Sequence, residues 1–315
     1  MKKKVALIGL GQIGMMYDIY KNSSYILSYC KALQKSKYLE LIAGVDIEKK
    51  KRILFKKKYN LKTFDTIDNL LKNLNPDIII ISTPTRTHFD LLRRLINFKK
   101  KMIVICEKPI TDSYKKIKKI EKLVKDKNIK IFTNYMRLSD PKLIYIKNFI
   151  KNNNKSNFFC EVFYNGTLLN SCSHYISLIL NIFGNKFQFK ILNKNQNYFD
   201  FKLVYKNAEI IFYSSSVRNI NYEDIRIINN NGIFSYKNGG SELVNERSVI
   251  NPVYGNGNHY LFSKKINNDF YKQPQKFTIN EIENLCFKNN KNSIANLKHA
   301  ISIHYLIKKI YEKKK

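Results

Sequence analysis

Short apolar runs alternate with helical patterns through the first 134 residues. The runs are Val5–Ile8, Leu41–Val45, Ile78–Ser82 and Met102–Cys106, and a further strand is predicted at Lys130–Asn134. Continuous apolar runs of this kind are typical of strands buried on both faces of a parallel sheet. Helices are predicted over Tyr25–Gln34, Ile67–Leu74, His88–Phe98 and Tyr114–Lys127. The alternation predicts an α/β domain over residues 1–134, a doubly wound parallel sheet of the Rossmann type.

After Pro141 the pattern changes to that of an antiparallel sheet. The predicted elements are a helix at Leu143–Ile150, a strand at Asn157–Tyr164, a helix at Leu168–Phe183, and strands at Phe187–Leu192, Tyr198–Tyr205, Ala208–Ser214, Ile225–Ile228 and Gly232–Tyr236. Period-two alternation bounded by Asn, Gly and Lys turns predicts an open, mostly antiparallel sheet. We therefore expect a second, α+β domain over residues 135–315. An amphipathic helix at about 293–314 ends it, and this helix could instead pack back on the first domain.

A formal net charge of +33 suggests a nucleic-acid partner at first sight. The lysines are spread over nearly every surface segment without forming one stripe, however, and we expect no nucleic-acid partner. A positive field of this size still favours anionic small molecules, such as phosphate-bearing substrates.

The five cysteines contain no CxxC pair, so neither a disulfide framework nor a zinc site is indicated. The apolar run after the basic N-terminus is too short for a signal peptide, and no stretch of about 20 apolar residues follows. We expect a cytoplasmic protein with no membrane contact and no metal.

The motif GLGQIG directly follows the first predicted strand. It consists of Gly9, Leu10, Gly11, Gln12, Ile13 and Gly14. In such a loop the first glycine permits a tight turn, the second lets the backbone approach a pyrophosphate, and the third allows close packing of the next helix. Asp46 ends the second strand, where a carboxylate can bind the ribose hydroxyls of NAD. Residues 18–24 are expected to form an inserted loop before the next helix. Because Lys49–Arg52 could approach a 2′-phosphate, NAD is expected and NADP stays open.

Two more strands end in short polar motifs. TPTRTH supplies Thr83, Pro84, Thr85 and His88, and EKP supplies Glu107, Lys108 and Pro109. Ligands of open α/β sheets lie outside the carboxyl ends of the strands, so these residues are expected to face the cofactor. A partly desolvated lysine there can hold or relay a proton, although Lys108 could also be a surface lysine before a turn proline.

The stretch LLNSCSHYIS contains a single histidine, His174. If it is helical, Asn170, His174 and Ser177 share one face. The cluster is either a buried histidine satisfied by an amide and a hydroxyl, or part of a functional site.

These motifs, in this order and together with NYMRLSDP at 134–141 and GTLLNSCSHYISLILNIFG at 166–184, resemble the glucose-fructose oxidoreductase, inositol dehydrogenase and rhizopine-catabolism (Gfo/Idh/MocA) family. The resemblance implies NAD(P)-dependent oxidation or reduction of sugar-like polyols. It implies that Lys108 is the catalytic lysine, that His174 is the acid/base histidine beside Asn170, and that Tyr135 and Arg137 line the substrate pocket. It also implies a homo-oligomer, since the family often uses the antiparallel sheet for assembly.

The family usually has aspartate at the positions of Asn170 and Ser177. Asn170 keeps the hydrogen bonding and lacks the charge, so Lys108 is expected to carry more of the proton transfer. Three functions follow in order. The first is a dehydrogenase or reductase acting on a sugar, possibly nucleotide-linked. The second is a catalytically weak or inactive dinucleotide-binding regulator on the same fold, and the third is a nucleic-acid-binding protein.

Overall fold

A computed structural model describes residues 1–19, 24–98, 100–194, 198–215, 222–251, 253, 255–288 and 294–313. Side chains are described throughout these ranges except at 255–260. The chain divides into two compact units. The first contains residues 1–139 and 272–305, and the second contains residues 140–271 and 306–315. The first unit therefore includes a returning segment of the chain, and the division falls within the last helix.

The first unit is built on a seven-stranded sheet. Elements are numbered in chain order through both units, and its strands are β1 Lys3–Ile8, β2 Leu39–Val45, β3 Lys62–Phe64, β4 Ile78–Ile81, β5 Met102–Glu107, β6 Ile129–Asn134 and β15 Ala295–Asn296. The order is β15-β6-β5-β4-β1-β2-β3, and every pair is parallel except β15 with β6. The strand order reverses between β1 and β4, which is the switch point where doubly wound sheets bind ligands. This confirms the predicted fold class.

The helices of the first unit are α1 Tyr17–Ile19, α2 Tyr29–Gln34, α3 Lys49–Tyr59, α4 Ile67–Asn73, α5 Thr85–Asn97, α6 Tyr114–Val124, α9 Pro274–Phe287 and α10 Leu297–Glu312. Three of them begin after a side-chain cap: Ser28 accepts from the Lys31 N–H, Thr66 from Asn69 and Ser113 from Lys116. Such caps satisfy backbone donors that have no partner inside the helix.

The start of the first unit differs from the prediction in one respect. A π-helix, Gln12–Met16, follows the glycine loop and runs into α1, and the next helix begins at Tyr29 instead of Tyr25. The cause lies at Asp18, which is buried and accepts from the backbone N–H groups of Leu27 and Ser28 at 2.9 and 2.7 Å. This contact holds residues 24–28 out of the helix.

The described part of the second unit contains an eight-stranded sheet, two α-helices and the end of α10. Its strands are β7 Phe158–Tyr164, β8 Gln188–Lys194, β9 Phe199–Val204, β10 Ala208–Ser214, β11 Asp224–Asn229, β12 Gly232–Lys237, β13 Glu242–Asn251 and β14 Gly255–Ile266, and its helices are α7 Leu143–Asn152 and α8 Ser173–Phe183. The order is β14-β13-β12-β11-β7-β10-β9-β8. Every neighbouring pair is antiparallel except β7 with β10, so the sheet is mostly antiparallel as predicted.

Several elements were not predicted from the sequence: α1, α3, β3, the β13–β14 hairpin, α9 and β15. The last helix begins at Leu297, after β15, instead of at about 293, and residues 293 and 314 lie outside the described part of the chain. A core cluster of the first unit joins alternate strand residues, such as Val5, Leu7 and Ile78, to helix residues such as Tyr29 and Phe55. Among the described residues, no helix has the length and hydropathy needed to cross a bilayer.

Candidate active site

The three glycines of the loop differ in the space beside their backbone. Gly9 has φ +95°, and a Cβ there would lie 2.8 Å from the backbone of Ser82 on the neighbouring strand. A Cβ on Gly14 would lie 2.1 Å from the carbonyl oxygen of Gly9, so this glycine permits the helix to pack on the loop. At Gly11, by contrast, a Cβ would meet no described atom within 4 Å. The open side of Gly11 is where a ligand can approach the loop backbone.

Asp46 is held beside this loop by two backbone donors. Its Oδ2 accepts from the N–H of Leu10 at 2.8 Å and its Oδ1 accepts from the N–H of Glu48 at 2.9 Å. Arg52 donates through Nη1 to the carbonyl oxygens of Asp46 at 2.7 Å and Ile47 at 2.9 Å. The carboxylate therefore has a fixed orientation at the end of β2, and the guanidinium is engaged with the same turn.

The TPTRTH residues connect the ends of β4 and β5. Pro84 precedes α5, and Thr85 is its first residue. The Oγ1 atoms of Thr83 and Thr87 lie 2.7 Å apart. His88 is 1% exposed, and its Nε2 and Nδ1 lie 2.8 Å from the carbonyl oxygen of Thr83 and 2.9 Å from that of Pro109. His88 is therefore a bridge between two loops, and its predicted position beside the cofactor stays a prediction.

Glu107 is buried within a hydrogen-bonded cluster. Its Oε1 accepts from the Tyr29 hydroxyl at 2.6 Å and from Nδ2 of Asn134 at 2.8 Å, and its Oε2 accepts from the N–H of Lys108 at 3.3 Å. Burial raises the pKa of Glu107, while the donors from Tyr29 and Asn134 and the charge of Lys108 oppose this shift. Neither Tyr29 nor Asn134 was predicted as a site residue, and no sequence pattern connects them to EKP.

The remaining predicted residues of the first unit lie around the end of β5 and β6. Lys108 is half-buried. Tyr135 is 2% exposed and directly follows β6, and Arg137, 9% exposed, lies in the 3-10 turn Met136–Ser139. The carboxyl-terminal edge of the first sheet thus brings together the glycine loop, Asp46, Thr83, Glu107 and Lys108, as the motifs predicted.

Asn170, His174 and Ser177 belong to the second unit. Residues Leu168–Cys172 form a π-helix, which continues into α8. Asn170 is exposed, whereas His174 is 6% exposed and Ser177 is fully buried. From α-helical spacing we predicted that Asn170, His174 and Ser177 share one face. The π-helix changes this arrangement, because it shifts Asn170 relative to the residues of α8.

Two further side chains of this segment bind one carboxylate that the sequence did not single out. Oε1 of Glu223 accepts from the Ser171 hydroxyl at 2.8 Å, and its Oε2 accepts from the Tyr175 hydroxyl at 2.9 Å. Among the described residues, no group of three or more His, Cys, Asp or Glu side chains is arranged to hold a metal ion.

Residues 3–135 match the family described as "Oxidoreductase family, NAD-binding Rossmann fold", Gfo/Idh/MocA. This part of the chain is thus similar to the NAD-binding domain of the Gfo/Idh/MocA family. The match covers strands β1 to β6 and the motifs at the ends of β1, β2, β4 and β5. The open backbone at Gly11 and the fixed carboxylate of Asp46 fit the pyrophosphate and the adenosine ribose of NAD.

The chain also matches curated oxidoreductases over part of its length. The chain is 32% identical to inositol 2-dehydrogenase of Rhizobium meliloti over 82 residues, which are 26% of this chain and 24% of that protein. The chain spans about a quarter of the length of the curated relatives it matches.

Solved structures of this fold match nearly the whole chain. The WlbA dehydrogenase of Bordetella pertussis, crystallised with NADH and UDP-GlcNAcA, has a TM-score of 0.76 at 13% identity over 98% of this chain and 94% of that one. A super-repressor mutant of Gal80p of Saccharomyces cerevisiae has a TM-score of 0.79 at 14% identity over 99% and 96%. At such low sequence identity, the structural similarity shows that each unit shares its fold with these proteins.

Proposed function

We propose that the protein is an NAD(H)-dependent oxidoreductase that transfers a hydride between the nicotinamide and a carbon of a sugar or a nucleotide-linked sugar. The proposal gives Lys108 the proton of the reacting hydroxyl, and the substrate-binding roles of His174 and Asn170 stay predictions from the sequence. The observation that carries it is the placement of Lys108 and Asp46 at the same edge of one sheet, on opposite sides of the glycine loop.

The strand order sets the distance across this edge. Asp46 follows β2, one strand from the glycine loop, and Lys108 follows β5, two strands away on the other side. Three strand spacings correspond to about 14 Å. A dinucleotide whose pyrophosphate lies on the loop can therefore reach both residues, with its adenosine ribose at Asp46 and its nicotinamide on the side of Lys108. NAD supplies or accepts the hydride when bound.

The residues of the chain have separate tasks in this reaction. The loop backbone binds phosphate oxygens through N–H groups at the start of the helix. The Asp46 carboxylate accepts hydrogen bonds from ribose hydroxyls, and its charge opposes a 2′-phosphate. Lys108 donates a proton to the oxygen of a carbonyl as it is reduced, or takes the proton of an alcohol as it is oxidised. Tyr135 and Arg137 are proposed as pocket residues, and Arg137 would pair with an anionic group of the substrate.

The substrate class follows from charge and from the relatives. The chain carries +33 net charges, which favours a phosphate-bearing or carboxylated sugar. Inositol 2-dehydrogenase is named for a polyol, and the WlbA structure contains UDP-GlcNAcA. Both names support a sugar-like substrate, and the basic charge supports the nucleotide-linked form.

A cytoplasmic location stays a prediction.

The exposed edge of the second sheet supports a homo-oligomer. β14 is an edge strand, and Ile250, Leu261 and Phe262 of the β13–β14 hairpin are 54%, 47% and 57% exposed. Apolar side chains at a strand edge favour pairing with another chain. A Phe262→Lys variant should therefore have a smaller mass by light scattering, and an unchanged mass would count against this interface.

The test of the proposed function is turnover in the wild type and in two lysine variants. The protein is mixed with NADH or NAD and a panel of nucleotide sugars and free polyols, and the absorbance of reduced nicotinamide is followed. Lys108→Ala should lower kcat by at least about 100-fold and change the Kd for NADH by less than about tenfold. Lys101→Ala is the matched control, since this exposed lysine lies at the opposite end of the same strand. Loss of NADH binding in folded Lys108→Ala would make this residue a cofactor ligand instead.

The absence of a carboxylate at Asn170 and Ser177 keeps a second candidate, a dinucleotide-binding regulator on the same fold. The structural likeness to Gal80p, whose solved mutant is named a super-repressor, is compatible with it. Tight binding of NADH without turnover across the panel would favour the regulator, and turnover of any sugar would reject it.

A further inference from the structure

The Glu107 carboxylate is reached by donors from three separate elements of the first unit. Tyr29 comes from α2, Asn134 from the end of β6, and the backbone N–H of Lys108 from the turn after β5. Asn134 also donates to the Tyr29 hydroxyl at 2.6 Å and accepts from the Thr278 hydroxyl of α9 at 3.4 Å. The cluster therefore connects the candidate catalytic lysine to residues far away in the sequence.

The hydrogen bonds of this cluster match an ionised carboxylate. Tyr29, Asn134 and the Lys108 backbone each point a donor at Glu107. A protonated carboxyl group would carry a hydrogen of its own and would need an acceptor in place of one of these donors. Burial alone raises the pKa of Glu107, and the three donors together with the Lys108 charge act against it. The negative charge is thus buried and held by donors next to Lys108.

The other titratable groups around Glu107 are uncharged. Burial raises the pKa of the Tyr29 hydroxyl, and the Glu107 charge raises it further. The same two causes raise the pKa of the Cys106 thiol. Both groups stay protonated at neutral pH, so Lys108 is the cation that interacts with the buried carboxylate. Because this interaction is mutual, the carboxylate favours the ammonium form of Lys108.

We propose that Tyr29 and Asn134 are positioning residues that keep Glu107 ionised, and that Glu107 in turn keeps Lys108 as an ammonium ion ready to act as a general acid. This inference rests on the proposed function. When bound, reduced NAD would supply the hydride for the carbonyl carbon of the sugar, and the C=O π-electrons would move to the carbonyl oxygen. Lys108 gives that oxygen its proton, and the resulting amine takes a proton from water.

The experiment measures the protonation of Lys108 without a substrate. The full-length protein is labelled with a trace of acetic anhydride between pH 6 and 11, and acetylation of each lysine is quantified by peptide mass spectrometry. The pH of half-maximal labelling reports how readily an amine loses its proton. Lys101 is the internal reference, because it is an exposed lysine at the other end of β5.

Three variants separate the possible causes. Glu107→Gln should lower the half-labelling pH of Lys108 by about one unit and leave Lys101 unchanged. Tyr29→Phe should also lower the half-labelling pH of Lys108. In the Glu107→Gln background it should cause no further shift, since the effects of interacting residues are not additive. Tyr59→Phe is the matched control, because its hydroxyl bonds to Cys30 instead of Glu107. If Tyr29→Phe does not fold, Asn134→Leu removes the other side-chain donor and is tested in its place.

The outcomes distinguish this inference from the proposed function. An unchanged half-labelling pH in folded Glu107→Gln would overturn the inference, even if the enzyme turns over. A shift in Glu107→Gln without one in Tyr29→Phe or Asn134→Leu would overturn the roles of these two residues. Shifts in Glu107→Gln and in Tyr29→Phe or its replacement Asn134→Leu, without turnover of any sugar, would support the coupling and count against the oxidoreductase.

Discussion

The ring of His88 joins two active-site loops, with Nδ1 at 2.9 Å from the carbonyl oxygen of Pro109 and Nε2 at 2.8 Å from that of Thr83. Pro109 directly follows Lys108, so the ring fixes the turn that carries the candidate catalytic lysine. A neutral imidazole has one N–H and can donate to only one of the two carbonyls. Because the ring is 1% exposed, bulk water cannot take its place as the hydrogen-bond donor.

Replacing His88 should therefore affect both stability and catalysis. His88→Ala leaves the carbonyl that accepts from the ring without its donor and creates a cavity, which together should cost about 2–4 kcal/mol of unfolding free energy. In the remaining folded protein, kcat should fall more than NADH affinity, since the Lys108 turn loses its support. Urea unfolding and NADH titration check the two effects. A loss below about 1 kcal/mol would contradict the bridging role.

Asp46 should determine the preference for NAD. Its two carboxylate oxygens are already oriented by the backbone N–H groups of Leu10 and Glu48, and Arg52 is engaged by the carbonyls of the same turn. Asp46→Ala should weaken NADH binding by about tenfold or more and NADPH binding less, because the ribose contacts and the repulsion of a 2′-phosphate are lost together. Fluorescence titration with both cofactors measures this. The opposite order of losses would overturn the NAD assignment.

His304 should make the protein sensitive to acid. It lies in α10 and is 2% exposed, and burial lowers its pKa to about 4, an effect that the Asp112 charge partly opposes. Between the folded value and the ordinary value near 6.5, the unfolded chain binds more protons than the folded one, so stability falls as the pH falls through this window. The full effect is roughly 3 kcal/mol.

A His304→Leu variant should lose this part of the pH dependence. The wild type should melt at a steadily lower temperature from pH 6.5 to pH 4, and the variant should show a shallower decline. Thermal melts at several pH values, with His299→Leu as a control from the same helix, provide the comparison. Parallel declines in wild type and His304→Leu would show that other groups cause the acid sensitivity.

The second unit contains a buried ion pair near its first residues. Nζ of Lys142 lies 3.2 Å from Oδ2 of Asp140, with side chains 1% and 0% exposed. Lys142 also donates to Asn268, and Asp140 accepts from Tyr236. Lys142→Met should cost about 3–5 kcal/mol, because it leaves a buried carboxylate without its cation. Urea unfolding measures the loss, with the exposed pair variant Lys265→Met as a control that should change little.

The sequence alone predicted those parts of the fold in which the local pattern is strong. β1, β4 and β5 are continuous apolar runs, and the residues at their ends could be placed because parallel strands share one carboxyl-terminal edge. Helix α3 was missed because Lys49–Tyr59 buries Phe55 alone among many lysines, which leaves almost no apolar stripe. The β13–β14 hairpin was missed for a similar reason, since its polar and apolar residues do not alternate strictly.

The candidate site was predicted where a motif contains the chemistry and missed where tertiary contacts do. Asp46, Glu107 and Lys108 follow strands directly and were identified. Tyr29 and Glu107 are 78 residues apart, and only folding brings the hydroxyl to the carboxylate. The bridging role of His88 also depends on a contact with Pro109, 21 residues away. Contacts of this kind have no signature within a single element.

Transfer of deuterium from [4-²H]NADH to a sugar tests the central claim most directly. Wild type and Lys108→Ala are incubated with stereospecifically labelled NADH and the panel of oxidised nucleotide sugars, and the products are analysed by mass spectrometry. We expect one deuterium at a single sugar carbon with the wild type, and transfer at least about 100-fold slower with Lys108→Ala despite comparable NADH binding. NADH that binds tightly while no deuterium reaches any sugar would contradict the oxidoreductase.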